Sequence, residues 1–393
     1  MDDTAPSPQV ASQFELTTDQ LNFRAATARF AADVLKPNYK KWDREGRVPV
    51  DIRRQMGRLG LIGVEFPAEY GGLGADHVTS GVVLEAIAEG DFNVGYILLL
   101  GSLCGAVIAR HAARPIALDI LPQVASGERL LAIALTEPRG GSDAASLQLK
   151  AARVGDHYVL DGEKTSISMA DQADWAVVFA RTGPAESRAH GISAFLVDMK
   201  AQGVSCTRFS DLGERAIGRG SIFFDGVRVP ATHRLGSEGS GFIQVMQGFD
   251  FSRALIGLQC LALARVSLAE TWRHIQERHA FGKPLSDNQG VTFPLAEAET
   301  MVEAARLLCF KTLAAKDAGA PHTREAAMCK WWAPKLAFEV VQTCLLMHGH
   351  AGYSTDLPFE QRLRDVLGLQ IGDGTAQIMK LIIAREALRT AAT

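Results

Sequence analysis

The feature that most constrains this chain is its periodicity, which changes twice. From Thr17 to about Arg129, apolar residues such as Leu21, Ala25, Phe30 and Val34 recur at helical spacing. Thr17 or Thr18 stands ready to cap the first helix. Connections are marked by Gly46 before Val48-Pro49 and by the cluster Gly71, Gly72 and Gly74. After Leu131 the texture shifts to short β-rich runs at 157–160, 175–180, 192–197, 204–209 and 221–229, separated by Gly or Asp. From Gly241 onward long helical patterns return over 242–278, 288–316 and 324–348. The order predicts an α+β protein of three units: an N-terminal helical domain over 14–130, a middle antiparallel β domain over 131–240 and a C-terminal helical bundle over 241–393. Strands and helices do not alternate, and no Gly-x-Gly-x-x-Gly follows a strand, so a doubly wound nucleotide-binding domain is not expected.

With 47% hydrophobic residues among 393, the chain can bury a substantial core. Lysine and arginine number 41 against 44 acidic residues, a net charge of −3, which lacks the basic surplus that nucleic-acid binding needs. The six cysteines (104, 206, 260, 309, 329 and 344) are widely spaced, with no Cys-x-x-Cys pair and no Cys/His cluster. They read as reduced core thiols of a cytosolic protein, and no metal site is expected. Residues 1–13 are acidic and polar with two prolines, unlike a secretory signal. The most apolar stretch, 92–112, contains Asn93, Gly95, Ser102 and Arg110, which favours a buried helix over a membrane span. A soluble cytoplasmic protein is expected.

The segment Leu135-Thr136-Glu137-Pro138-Arg139-Gly140-Gly141-Ser142-Asp143 combines glycines that expose backbone N–H groups with two hydroxyls, a set that can hold an anion. Alone it reads as a polar turn. Three further segments accompany it. Gly162-Glu163-Lys164 runs into Ile167-Ser168 and Ala173-Asp174. Arg278-His279-Ala280-Phe281-Gly282-Lys283-Pro284-Leu285 is followed by Gln289. His348-Gly349 leads to Gly352-Tyr353, Pro358, Arg364-Asp365 and Gly374-Thr375. In order and spacing these resemble the signatures of the FAD-dependent acyl-CoA dehydrogenase family, and the resemblance spans about 18–389.

The resemblance implies a role for each matched position. The backbone of Leu135 and Thr136, the turn at Gly141, and the hydroxyls of Thr136, Ser142 and Ser168 are expected to hold FAD, with Ser168 near flavin N5. Ser166 replaces a tryptophan that the family often places beside the flavin. Arg278 and Phe281 are expected to reach a neighbouring subunit's FAD, with Gln289 nearby, while Thr375 and Gln377 meet the adenosine side. A homotetramer, an acyl-CoA substrate and an electron-transferring flavoprotein as acceptor follow. Read alone, Arg278 is a helix-end arginine paired with Glu277 or Asp287. A guanidinium that binds phosphate oxygens bidentately suits the diphosphate role.

The family's chemistry needs a base for the α proton of a thioester, with hydride leaving the β carbon for flavin N5. A carboxylate serves only if water is excluded and its pKa is raised. Many members carry a glutamate before the last Gly-Thr; here the residue is Asp373, which alone would read as a turn residue in Gly-Asp-Gly. The alternative base position falls on Ser252, which cannot act as the base. Arg253 matches an arginine supporting the base loop, and Asp250 a residue near the pantetheine of CoA. Without the resemblance they read equally as a helix-start acid and an exposed arginine. Asp91 matches a position near the inner end of the acyl pocket, although an N-cap at 91 is the simpler reading. Gly372, beside Gly374 in the same pocket, stands where an aromatic residue is common. The shorter aspartate and the bare glycine both remove volume, which favours a bulky, α-branched or alicyclic acyl group such as cyclohexanecarboxyl-CoA. Two other readings are a nitroalkane oxidase-like flavoprotein, whose relatives use an aspartate there, and a non-catalytic assembly protein.

Overall fold

The computed structural model describes residues 15–391, so the segment 1–13, residue 14 and residues 392–393 lie outside the described residues. The first helix, α1 (Thr18–Phe30), begins where the sequence predicts. Thr17 accepts from the Gln20 N–H at 3.2 Å while the Gln20 side chain accepts from the Thr17 N–H at 3.0 Å, a reciprocal capping box. Then follow α2 (Tyr39–Glu45), α3 (Val50–Arg58), α4 (His77–Gly90), α5 (Phe92–His111) and α6 (Arg114–Ala125). Helix α5 is long and apolar enough to cross a membrane, but 89% of that window is buried inside the fold. It is a core helix, as its internal polar residues imply.

The middle of the chain forms one eight-stranded sheet: β1 (Leu131–Ala134), β2 (Lys150–Val154), β3 (His157–Ile167), β4 (Trp175–Arg181), β5 (Ile192–Asp198), β6 (Val204–Arg208), β7 (Gly220–Pro230) and β8 (Arg234–Leu235). Most pairings are antiparallel, but β1 runs parallel to β4, and β2 meets β4 in a single parallel pairing, Lys150 with Arg181. The sheet is therefore mixed rather than wholly antiparallel. The chain leaves β1 through the 135–149 loop and returns through the β2–β3 hairpin, so β4 reaches β1 in the same direction. Three strands of this sheet are missing from the sequence reading, β1, β2 and β8, and each is only two to five residues long.

Four long helices close the chain: α7 (Gly241–Glu277), α8 (Gln289–Asp317), α9 (Thr323–Met347) and, after the short α10 (His350–Tyr353) and α11 (Phe359–Gly368), the terminal α12 (Ala376–Ala391). Helix α7 packs against α4, α5, α8 and α9, so one apolar core runs through both helical regions and under one face of the sheet. A second, smaller core covers the other face around Tyr158, Phe195 and Phe224. Five cysteines are buried in this interior; Cys206 is the exception, exposed on β6 at the sheet edge.

Candidate active site

The loop between α11 and α12 carries Asp373, and its shape follows from two backbone features. Asp373 adopts φ 54° and Gly374 φ 101°, conformations that reverse the chain sharply before Thr375 caps α12, accepting from the Ile378 N–H at 3.4 Å. Aspartate tolerates this left-handed position better than most side chains, whereas a Cβ at Gly374 would meet the Met379 methyl at 2.5 Å. At the loop's start, Gly368 lets the Glu214 carboxyl approach α11, since a Cβ there would lie 2.3 Å from Glu214 Oε1. Gly372 differs from both: a Cβ built on it finds nothing nearer than the Gly368 carbonyl at 3.8 Å. Open space therefore lies beside the base position.

The electrostatics of this loop come from three directions. Arg253 on α7 is 4% exposed and donates to Asp250 Oδ1 at 2.8 Å; its Nε is buried without a partner. Asp250 also accepts from Thr323 Oγ1 at 2.6 Å. Both residues lie several turns inside α7, so neither the helix-start acid nor the exposed arginine is what the fold contains. From α9, Lys330 is 1% exposed and donates to the carbonyls of Leu369 at 2.7 Å and Gly374 at 3.0 Å. Asp373 keeps part of its residue surface, but protein packs densely around the carboxylate, and that surround governs its charge state. Burial raises its pKa, and the positive charges of Lys330 and Arg253 pull it back. Burial likewise drives the Lys330 ammonium down to about 8, opposed first by Asp373. Ser252, at the alternative position, is wholly buried and turns its hydroxyl to the Phe249 carbonyl at 3.4 Å.

Tyr96 on α5 and Glu214 complete the enclosure, and the sequence reading missed both along with Lys330. Glu214 is hydrogen-bonded to Tyr96, and burial pushes it up to about 8, so its carboxyl is neutral at pH 7. Tyr96 is raised well above its usual range by burial, with Glu214 and Asp373 adding to the effect. A signal for Lys330 existed. It shares a helical face with Ala326, Ala333 and Ala337, all buried, and a lysine in phase with such a stripe needs a partner.

The flavin-side residues are gathered by the sheet. A hydrogen bond from the Thr165 N–H to the Thr136 carbonyl at 2.9 Å lays the 135–143 loop along the end of β3. There β3 slips register between Lys164 and Ile167, with Ser166 at φ 59°, which frees Ser166 and Ser168 from ladder pairing. Beneath them Lys164, fully buried, ties the loop down by donating to the Leu135 carbonyl at 2.9 Å and Glu137 Oε1 at 2.8 Å. Glu137 also accepts from the N–H groups of Gln148 and Leu149. Thus the glutamate of the Thr-Glu-Pro segment is an internal strut. By contrast, the hydroxyls of Thr136, Ser142, Ser166 and Ser168 have no partner among the described residues. Gly141, next to Ser142, packs against Thr136 with space for a Cβ at 3.5 Å. This open row of hydroxyls and backbone fits the polar edge and phosphates of a flavin nucleotide.

Other matched positions lie apart from this cradle. Arg278 ends α7, its N–H on the His274 carbonyl, and forms no ion pair among the described residues. The pairing with Glu277 or Asp287 that an ordinary helix-end arginine would make is absent there. Phe281, at φ 52° in the following turn, is fully exposed, and Gln289 opens α8 on the surface nearby. Gln377 is exposed in the first turn of α12. Asp91 caps α5, accepting from the N–H groups of Asn93 at 2.7 Å and Val94 at 3.4 Å. It borders a small cavity with Tyr39, Arg362 and Asp365, where burial pushes it up to about 7. It shares no hydrogen-bond partner with Asp373 among the described residues.

Comparison with known proteins identifies the family. Domain models of the acyl-CoA dehydrogenase N-terminal, middle and C-terminal domains match residues 17–128, 132–227 and 239–388. A short-chain specific acyl-CoA dehydrogenase of Clostridium acetobutylicum is 33% identical over 96% of this chain and 100% of its own. The mitochondrial isobutyryl-CoA dehydrogenase of Dictyostelium discoideum is 33% identical over 97% of this chain and 91% of its own. The structure of butyryl-CoA dehydrogenase from Megasphaera elsdenii superimposes with a TM-score of 0.92 at 30% identity, covering 96% of this chain and 100% of that one. The chain belongs to the acyl-CoA dehydrogenase family. It is an FAD-dependent oxidoreductase that acts on acyl-CoA thioesters.

Proposed function

We propose that this enzyme desaturates a bulky, α-branched or alicyclic acyl-CoA, cyclohexanecarboxyl-CoA being the model substrate, with Asp373 as the base. The observation that carries this reading is the space at Gly372, which adjoins a carboxylate one methylene shorter than the usual glutamate. A branched α carbon fills that space and comes within reach of the shorter acid. The isobutyryl-CoA named for the Dictyostelium relative is itself α-branched, which supports the same direction.

In this mechanism Asp373 acts as the carboxylate; burial raises its pKa, and the cations at 253 and 330 counter part of that rise. Acyl-CoA then displaces water from the carboxylate and raises its basicity, so Asp373 takes the α proton. Arg253, fixed by Asp250, braces the loop, and Gly374 lends its carbonyl to Lys330. Bound FAD supplies the acceptor for the β hydride. The hydroxyls of Thr136, Ser142, Ser166 and Ser168 and the backbone of Leu135, Thr136 and Gly141 would hold the FAD, with Thr375 and Gln377 toward its adenosine side. The exposed Arg278, Phe281 and Gln289 complete a neighbour's site in a homotetramer. Apolar side chains left uncovered on the helical bundle, including Tyr353, Leu381 and Leu388, support such an assembly. An electron-transferring flavoprotein is the proposed acceptor. The caffeyl-CoA reductase subunit of Acetobacterium woodii, 32% identical over 88% of this chain and 92% of its own, is named as part of an Etf complex. We place the enzyme in the cytoplasm as a soluble protein, which the burial of both long apolar helices, α5 and α7, supports.

Anaerobic bleaching of the flavin against linear, branched and alicyclic acyl-CoA esters tests the proposal. Highest kcat/KM with a branched or ring ester is expected. Equal or better values with butyryl-CoA or octanoyl-CoA refute the substrate class, and oxygen consumption with nitroethane alongside inert CoA esters refutes the reaction.

A further inference from the structure

Among the described residues Lys330 is the one buried lysine of the C-terminal bundle, and its position is hard to account for as packing. A lysine buried to 1% gives up most of its hydration and needs strong compensation. It has two hydrogen bonds, and both go to the loop that carries Asp373: to the Leu369 carbonyl where α11 ends and to the Gly374 carbonyl immediately after the base. Those carbonyls belong to residues at either end of a segment with few backbone hydrogen bonds of its own beyond the turn at Gly368. One ammonium therefore clamps both ends of the loop.

We propose that Lys330 is a positioning residue for the base, clamping the Asp373 loop at both ends and supplying the fixed positive charge that keeps Asp373 ionised until substrate encloses it. The proposal rests on the reading of Asp373 as the base. No direct ion pair joins Lys330 to Asp373 among the described residues; two of the three ammonium N–H groups go to carbonyls. That arrangement suits the chemistry. A positive charge that acts without a contact ion pair favours the ionised carboxylate and leaves its oxygens unengaged. The groups that face Lys330 are Asp373 from the loop, Cys260 and Arg253 from α7, and Glu214 from the loop before β7. Of these, Glu214 is neutral at pH 7, Cys260 is a thiol held far above its usual range, and Arg253 already has Asp250 as its partner. Asp373 is the remaining anion, so the charge at 330 acts on it.

The test is the pH dependence of kcat/KM for flavin reduction by an acyl-CoA ester in the holoenzyme, which reports the free enzyme, for the parent, Lys330→Met and Lys330→Gln. The glutamine keeps an N–H for the carbonyls if the methionine variant folds poorly. Removing the cation lets burial raise the Asp373 pKa further, so the acid limb is expected to move up by about one pH unit, with a roughly tenfold slower rate on the acid side. A role in packing alone would lower stability and leave the limb where it was. An unmoved limb in a variant that retains FAD overturns the proposal. Asp373→Asn run alongside separates the two layers. If it reduces its flavin at the parental rate, the base assignment fails and the proposal with it; if it is slow while the limb stays fixed in the Lys330 variants, only the role of Lys330 fails.

Discussion

Replacing Asp373 with asparagine tests the proposed mechanism at its centre, because the amide keeps the shape of the side chain and removes the charge that takes the proton. Loss of a general base slows such steps by roughly 10² to 10⁴, which corresponds to about 3 to 5.5 kcal/mol of activation energy. A second effect must be separated from this one. Asparagine leaves Lys330 and Arg253 without the anion that faces both. Each keeps other partners, two carbonyls for Lys330 and Asp250 for Arg253, so the stability loss is expected to be about 1 to 2 kcal/mol, below the ~3 to 5 of a fully orphaned buried charge. Anaerobic single-turnover reduction, followed by flavin absorbance on protein with full FAD content, isolates chemistry from folding. In the parent, the rate should fall as pH drops through the raised pKa of Asp373, because protonation removes the base. In the variant the residual rate should lose that limb. Near-parental reduction by Asp373→Asn would refute the reasoning, and Asp91 would be the next carboxylate to change.

Three further outcomes follow from particular contacts. Gly372→Tyr fills the space beside the base without entering a left-handed conformation, so kcat/KM for cyclohexanecarboxyl-CoA relative to butyryl-CoA should fall about 10- to 200-fold; an unchanged ratio shows that the space is not the acyl site. Arg278→Ala should raise the FAD dissociation constant through the loss of charge-assisted hydrogen bonds worth about 1.5 to 3 kcal/mol each, and a monomer that retains its FAD by size-exclusion chromatography would contradict the shared site. Glu214→Gln tests the neutral carboxyl. The folded chain holds that proton up to about pH 8 while the unfolded chain releases it near 4.5, so the group's contribution is full below pH 4.5 and is lost as pH rises to 8. The parental Tm should therefore decline over that interval more steeply than that of the variant, and parallel Tm curves would count against a neutral Glu214.

The α, then β, then α order was legible because each region repeats its own periodicity over many residues, and the caps at Thr17 and Asp91 were legible because capping is local. The parallel pairing of β1 with β4 was not, since it joins residues such as Leu131 and Trp175 across a long loop that no local pattern encodes. The same distinction divides the site. The positions of Asp373, Arg253 and the hydroxyls at 136, 142, 166 and 168 stand in motifs that can be read along the chain. Lys330, Tyr96 and Glu214 reach the site from three separate segments, and what marks them is burial beside one another, which appears only once α5, α9 and the loop before β7 are packed. The alternative of an exposed arginine at 253 does not hold, because α7 carries Arg253 into its buried middle, where packing rather than local pattern decides exposure.

The proposed chemistry requires the β domain, which bears the proposed flavin cradle, and the helical bundle, which bears the proposed base, to hold a fixed separation. The contacts explain how. Asp365 on α11 accepts from the Glu214 N–H at 2.6 Å, and Arg364 donates to the Leu212 carbonyl at 3.0 Å. Between them Gly213 lies so close to α11 that a Cβ would come within 2.2 Å of the Arg364 carbonyl. The loop leading into β7 is thus fastened to α11, the helix from which the base loop departs, while β7 pairs with β3, whose far end frees Ser166 and Ser168. A chain of short contacts runs from the flavin-side hydroxyls to Asp373 through β3, β7, the 211–215 loop and α11. For an aspartate, whose reach is one methylene less than that of glutamate, such fastening matters more, because a shift of about 1 Å can cost on the order of 10²-fold in rate. Asp365 also accepts from the Asn93 amide on α5, which brings the wall of the site that carries Tyr96 into the same joint. The three regions of the chain therefore meet at α11, and the reach of the base is set there.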